Sequence, residues 1–323
     1  MIFEKQILSI YQQKLLRRRD PDGRAYHFKK SDFPGLLSKD YTFRGDKGQT
    51  LCAHLYYRGE PRQDRLIMLD HGMGCGHASY LSEIDVLTRR GYTVFTYDHT
   101  GTSESGGEDI GGFSQSLSDL DRAVRFVRSL DGYADTRIAV IGHSWGGFST
   151  MNIAAIHPDI THAVAISGFI SPKAIQNQAL SGILRLYRPL VYKLERDALP
   201  DYYLYDGRES VKAAKNTHVL FIHSRDDKTC SFRQHFEKLR EALLDEERVE
   251  FLAVDNKNHH PQYTEDAVKY KSEFTKTMKK KTKRGELDTP EQKAEFVRGY
   301  DFFRMARQDE AFWDRVVEFL EKW

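Results

Sequence analysis

Cysteine is scarce in this chain of 323 residues: Cys52, Cys75 and Cys230 are widely spaced and odd in number. Three such residues make neither a disulfide framework nor a cysteine zinc site, so a reducing, cytoplasmic compartment is the expectation. No run of about 18 apolar residues occurs, which excludes a helix spanning a bilayer. Neither sign of charge dominates. With 49 Lys and Arg against 47 Asp and Glu, the net charge is +2, and no whole-molecule field argues for nucleic acid as a partner. Internal repeats are missing, as is any low-complexity linker long enough to divide the chain into independent domains. The N-terminus, MIFEKQILSIYQQKLLRRR, has the look of an export signal, but Glu4 and Lys5 interrupt it early. Its apolar positions (Ile7, Leu8, Ile10, Tyr11, Leu15) recur at helical spacing, which predicts an amphipathic helix instead.

What the chain does have is 40% hydrophobic residues, enough for a large core, and a regular alternation of elements. DYTFRGDKGQTLCAHLYYRG alternates as an antiparallel hairpin does. Then come short apolar, β-branched runs: RLIMLDHG, YTVFTYDHTG, RIAVIGHS, HAVAISG, HVLFIHS and VEFLAVD. Between them SYLSEIDVLTRRG, SLSDLDRAVRFVRSL and SFRQHFEKLREALL carry helical periodicity. Strands buried on both faces and alternating with helices predict a mostly parallel sheet covered on both sides. A ligand crevice in such a sheet lies beyond the carboxyl ends of its strands. Residues 171–215 separate two strands by far more than an ordinary linker, and their helical pattern, Pro break and tyrosines (Tyr202, Tyr203, Tyr205) predict an inserted helical lid. Four segments result: 1–39, an N-terminal helix and lead-in; 40–170, the first part of the core; 171–215, the lid; and 216–323, the second part with an extended helical tail. Within that tail KKKTKR at 279–284 reads as a solvated, mobile loop. A peripheral contact with an anionic membrane surface is its alternative reading, worth around 1 kcal/mol per basic residue.

The strongest local signal is VIGHSWGG, which places Gly142-His143-Ser144-Trp145-Gly146 directly after a strand and directly before a helix. A serine at that tight turn is forced into a strained backbone conformation between small neighbours. Its hydroxyl is lifted above the sheet, and the helix N-terminus is aimed at whatever reacts there. Serine needs a base to take its proton and a carboxylate to orient that base, and on this architecture they follow in the order Ser, acid, His. Downstream, HVLFIHS runs into Arg225-Asp226-Asp227, and VEFLAVD runs into NKNHHPQYT with His259 and His260. Two adjacent residues of an extended loop point in roughly opposite directions, so only one of the two histidines can face Ser144. Oxyanion donors are expected at the Trp145 N–H and, from the glycine-rich loop His71-Gly72-Met73-Gly74-Cys75-Gly76, at the Met73 N–H. His143, His71 and His77 read as hydrogen-bonding residues and Cys75 as a poor alternative nucleophile. A metal site made of His71, His77, His259 and His260 lacks any recognised spacing, so no metal and no cofactor are expected.

Assembled, HGMGCGHASY, YDHTGTSES, GHSWGG, HSRDDKTC and NHHPQYT resemble the serine hydrolases grouped with the monoacylglycerol lipases and S33-type aminopeptidases, within the α/β-hydrolase superfamily. The likeness covers roughly residues 40–265 and implies the α/β-hydrolase fold. It puts the acid at Asp227 in preference to Asp226. Aligning Pro261, Tyr263 and Thr264 with the family's G-H-N-P-x-Y-T-like stretch puts the base at His259 and leaves His260 on an asparagine position. One departure is visible: Asp98-His99-Thr100-Gly101-Thr102-Ser103-Glu104-Ser105 carries Ser103 where the family loop tends to have a second glycine. The resemblance implies a cofactor-free serine hydrolase of carboxylic esters, acting on a small-molecule ester or related acyl substrate. An aminopeptidase-like amidase, with Glu195 or Asp197 of the lid gripping an amine, and a non-catalytic binding protein on the same fold are the alternatives. No oligomeric state is implied.

Overall fold

The computed structural model describes residues 2–74 and 76–322, leaving Cys75 outside them. Eight strands, β1 (Leu37–Arg44), β2 (Thr50–Tyr57), β3 (Arg65–Asp70), β4 (Val94–Tyr97), β5 (Arg137–His143), β6 (His162–Ile166), β7 (His218–Ser224) and β8 (Val249–Val254), form one sheet in the order β1-β2-β4-β3-β5-β6-β7-β8. β2 pairs antiparallel with both β1 and β4, while β4, β3, β5, β6, β7 and β8 pair in parallel, so helices must cross between these six and cover both faces.

The pleat explains the continuous apolar runs. On β3, Leu66 and Met68 enter one core with Phe95, Tyr97, Ile138 and Val140, while Ile67 and Leu69 enter the opposite one with Val94, Ala139 and Ile141. Of the helices, α1 (Ile2–Tyr11), α2 (Leu81–Arg89), α3 (Gln115–Ser129) and α4 (Trp145–Ile153) precede β6. α3 and α4 fill the first core through Leu117, Leu120, Val124, Trp145 and Phe148. α2 fills the second through Leu81, Ile84 and Leu87.

Residues 171–215 hold α5 (Pro172–Ala179), α6 (Arg188–Ala198), α7 (Pro200–Tyr203) and α8 (Gly207–Ala213), with a 3-10 turn at Gly182–Tyr187. Two of its tyrosines are hydrogen-bonded, one to the core and one within the insertion. Tyr202 Oη donates to Asp121 Oδ2 of α3 at 2.9 Å, and Tyr203 Oη to Gln176 Oε1 at 2.9 Å. The remaining helices are α9 (Phe236–Leu243), α10 (Glu265–Lys283), α11 (Pro290–Arg298), α12 (Phe302–Met305) and α13 (Glu310–Leu320). α13 returns to the sheet and buries Trp313, Val316 and Phe319 in the second core.

KKKTKR is not a loop. Its first five residues are the last turns of α10, which Thr264 caps by accepting the Ala267 N–H. Phe274 anchors that helix among Leu287, Phe296 and Met305, and Lys281 pairs with Glu286 at 2.9 Å. Cations at a helix C-terminus also suit its dipole, so the charge run that suggested solvation is compatible with helix. The N-terminal helix buries less than its periodicity suggested: Tyr11 is inside, but Ile10 is 52% exposed. Among the described residues no helix is long and apolar enough to cross a membrane.

Candidate active site

The chain reverses its order of strand addition at β3, with β4 laid on one side and β5 on the other, and a crevice opens at such a switch point. Asp70 is in register with Gly142, so the loop leaving β3 and the turn leaving β5 emerge side by side. At that turn Ser144 has φ 58° and ψ −109°, a left-handed conformation that costs a non-glycine residue on the order of 1–3 kcal/mol. The turn is possible because its flanks are glycine. A Cβ on Gly142 would stand 2.1 Å from the Gly146 carbonyl oxygen, and one on Gly146 2.1 Å from that of Asp70. The Ser144 N–H is tied to the Ile166 carbonyl at 2.8 Å, which fixes the turn to β6. Trp145 opens α4, so its N–H has no acceptor within the helix. Its fully buried indole donates to the Phe113 carbonyl at 2.7 Å. Met73 lies on the loop after β3, partly buried against the core that contains Trp145.

Asp227 and His259 meet across the ends of β7 and β8. His259 Nδ1 is 2.7 Å from Asp227 Oδ2, so Nδ1 carries the proton and Nε2 is left as the basic nitrogen. The other carboxylate oxygen accepts the Thr229 and Cys230 N–H groups at 2.8 and 3.1 Å. Burial works against the charge on Asp227, but the His223 and His259 contacts outweigh it and hold the carboxyl well below the usual range. Asp226 points elsewhere, accepting the Asn258 N–H at 3.1 Å and so closing the histidine loop. That loop uses left-handed backbone at Asn256 and Asn258, which asparagine tolerates.

His260 is directed away from Asp227, stacked between Tyr263 at 5.0 Å and His143 at 5.3 Å, and burial holds its pKa well below the ordinary histidine value. His143 Nε2 donates to the His259 carbonyl at 2.7 Å, and its Nδ1 accepts from Tyr80 Oη at 2.7 Å. Burial, then the neighbouring His259, pushes its pKa down to about 3, so it is a neutral spacer between the two loops. The Cys230 thiol, buried and close to Asp227, is kept protonated first by burial and then by the Asp227 charge.

Three residues of this arrangement escaped the sequence reading. Tyr80 accepts the Gly72 N–H at 2.9 Å and so holds the loop after β3. His223 Nε2 lies 3.2 Å from Asp227 Oδ2 and 2.7 Å from the Cys230 carbonyl. Lys257, buried, spans the Tyr263 carbonyl and Asp309 at 2.7 Å each. Only His223 had a local signal, four residues ahead of Asp227.

The four histidines weighed as metal ligands do not converge. His71 bridges the Gly72 carbonyl and the His99 N–H, His77 binds Asp98, and His259 and His260 are placed as above. Glu195 turns inward, taking hydrogen bonds from Tyr11 and from the Phe113 N–H, while Asp197 pairs with Lys193 on the exposed side of α6. Neither is posed to grip an amine.

A sequence profile described as serine aminopeptidase, S33, matches residues 61–222, half of the chain. The chain belongs to this family. As a member of the S33 group it is 30% identical over 221 residues to a monoglyceride lipase of Rattus norvegicus, covering 66% of this chain and 64% of that protein. It thus spans just under two thirds of the curated relative's length. Among solved structures, the Pyrococcus furiosus esterase Pf2001 superposes with a TM-score of 0.59 at 17% identity, covering 80% of this chain and 96% of that one. Est1E of Butyrivibrio proteoclasticus superposes with a TM-score of 0.56 at 18% identity, over 74% and 98%. These establish the α/β-hydrolase fold of this S33-family protein. The profile match ends at Ile222, ahead of Asp227 and His259.

Proposed function

We propose that the protein is a serine hydrolase of carboxylic esters working through an acyl-enzyme. Ser144 Oγ attacks the acyl carbon as His259 Nε2 takes its proton, and that proton then passes to the departing alcohol. Asp227 keeps the imidazole in the Nδ1–H tautomer and stabilises its cationic form. The Met73 and Trp145 N–H groups face the developing oxyanion, with the positive end of α4 behind them. Water, deprotonated by the same base, releases the acid and regenerates Ser144. The observation that carries this reading is the strained turn at Ser144 together with a histidine, His259, whose Nδ1 is held by a buried carboxylate.

The insertion serves as the lid, and an apolar acyl or aryl group is the preferred substrate. Its exposed turn presents Ile183, Leu184 and Leu186, which supports a greasy partner for that surface. The names of relatives, a monoglyceride lipase and an esterase, point the same way. An aminopeptidase is disfavoured because Glu195 is spent on Tyr11 and Phe113. A fluorophosphonate probe should label the wild type and not Ser144→Ala. A folded wild type that stays unlabelled overturns the proposal. p-Nitrophenyl esters should turn over faster than amino-acid anilides; the reverse ranking would assign amidase chemistry.

A further inference from the structure

The geometry points to a zinc(II) site, apart from Ser144, Asp227 and His259, formed by His54, His77 and Glu104 and fastening the loop that precedes His77. Three separate elements supply the ligands: β2, the short turn His77–Tyr80, and the loop after β4. One potential ligand atom of each lies within 4.8 Å of the other two. Convergence of two histidines and a carboxylate from three separate elements, two of the three buried, is not what a solvated charge cluster looks like.

The surroundings commit the nitrogens. His54 Nδ1 is 2.9 Å from Asp40 Oδ1, and His77 Nδ1 is 3.0 Å from Asp98 Oδ1. A carboxylate accepts, so each Nδ1 carries the hydrogen and each Nε2 keeps its lone pair. Carboxylate–histidine pairs of this kind orient and strengthen metal-binding imidazoles. His54 Nε2 is buried with no hydrogen-bond partner, and it faces Glu104 Oε2 at 3.5 Å. Two acceptors facing one another repel unless a proton or a metal ion lies between them. A proton would bridge His54 to Glu104 alone, whereas a metal ion also engages His77, whose ring centroid lies 3.9 Å from that of His54.

Tetrahedral zinc with bonds of about 2.0–2.1 Å sets its ligand atoms roughly 3.3 Å apart, close to the spacing found between His54 and Glu104. Glu104, with its side chain 59% exposed, is free to close the remaining gap, and water completes the fourth position. Two imidazoles select zinc or its neighbours over magnesium and calcium, which prefer oxygen.

The consequence reaches the candidate active site without depending on what it hydrolyses. Both the backbone N–H and the ring of His77 rest on Asp98. The turn that His77 begins ends at Tyr80, which holds Gly72 and His143. An ion on His77 Nε2 stiffens that turn and, through it, the loop carrying Met73.

The full chain, stripped with chelator, is titrated with ZnCl2 by calorimetry and with CoCl2 by absorption. One zinc per chain should bind, Mg2+ and Ca2+ should not, and a hundredfold excess over Kd should raise Tm by roughly 5 °C. His54→Ala and Glu104→Gln should abolish that site. Asp40→Asn should weaken it by about 10–100-fold, an effect an ordinary ion pair would not give. Cobalt should show the bands of a nitrogen–oxygen site without thiolate charge transfer. Backbone hydrogen exchange in the turn from His77 to Tyr80 should slow on zinc loading. No binding, equal binding in His54→Ala and Glu104→Gln, a thiolate band, or unchanged exchange would each overturn the proposal. Should His54→Ala fail to fold, Glu104→Gln carries the test, because its exposed side chain supports no core.

Discussion

Two histidine–carboxylate clusters sit at the same edge of the sheet, and their histidines are paired differently. At the ends of β7 and β8, His259 gives one nitrogen to Asp227 and keeps the other uncommitted. At the ends of β3 and β4, His99 lies between two carboxylates, with Nε2 2.7 Å from Asp70 and Nδ1 3.3 Å from Asp119. All three side chains of the second cluster are fully buried. The Asp70–His99 contact is an ion pair out of line for a hydrogen bond, yet it still acts on the ring. Burial alone would lower the His99 pKa, but Asp70 and Asp119 reverse that and push it up to about 9. Identical residue types thus hold an imidazole against one carboxylate in one place and a fixed buried cation between two in the other. The difference is that His259 has Asp227 on one nitrogen, whereas His99 has a carboxylate at each.

If that contrast is right, the two histidines fail differently when removed. His259→Ala should lower kcat for an ester substrate by about 10⁴–10⁶-fold with little change in Tm, because the base is lost and the packing is not. His260→Ala should cost less than about tenfold. A reversed pair of results would move the base to His260. His99→Ala should instead act on stability, since it leaves two buried carboxylates without their cation. A loss of about 3–5 kcal/mol is expected in denaturant unfolding. The raised pKa also sets a pH window. His99 holds its proton in the folded state after the unfolded chain has released it, so its contribution is complete below pH about 6.5 and lost as pH rises through about 9. Unfolding midpoints that are flat across that range would remove the buried cation from the account.

Glu195 provides the acidic counterpart, a buried ionisable group that forms no salt bridge among the described residues. Burial pushes its pKa up to about 7 despite hydrogen bonds from Tyr11 and Phe113. The neutral form is favoured inside, so its contribution is complete below pH about 4.5 and disappears as pH rises through 7, on the order of 3 kcal/mol in all. Glu195→Gln, which keeps the shape and removes the charge, should flatten the Tm profile in that window and gain stability above pH 7. A variant that tracks the wild type at every pH would show that the insertion is not docked through this carboxyl.

Much of the frame was readable because parallel strands buried on both faces leave short, continuous apolar runs such as RIAVIGH and HVLFIHS. The elbow was readable because Gly142 and Gly146 have no room for a side chain. What escaped depends on distances along the chain that no local pattern records. Tyr80 and His143 are 63 residues apart, and Lys257 and Asp309 are 52 apart. KKKTKR misled because charge density reports solvation of a surface and not the backbone beneath it, which Thr264 and Phe274 hold helical. Glu195 read as a lid acid able to grip an amine, and its partners Tyr11 and Phe113, 184 and 82 residues away, turn it inward instead.

The two clusters are not independent, and removing a single oxygen tests their connection. His99 donates its backbone N–H to His71 Nε2 at 3.0 Å, His71 Nδ1 donates to the Gly72 carbonyl at 2.8 Å, and the Gly72 N–H reaches Tyr80 at 2.9 Å. Tyr80 Oη continues to His143, and His143 to the His259 carbonyl. One chain of hydrogen bonds therefore runs from the buried cation, under the loop bearing Met73, to the backbone of the proposed base. Tyr80→Phe removes a single oxygen from the middle of it and leaves Gly72 N–H and His143 Nδ1 without partners, which should cost about 1–3 kcal/mol in stability. A purely structural role would stop there. If the chain positions the base, kcat should also fall about tenfold with KM nearly unchanged, because loop register is then lost in the transition state more than in substrate binding. A variant destabilised to that extent with kcat intact would separate the clusters and leave each to act alone.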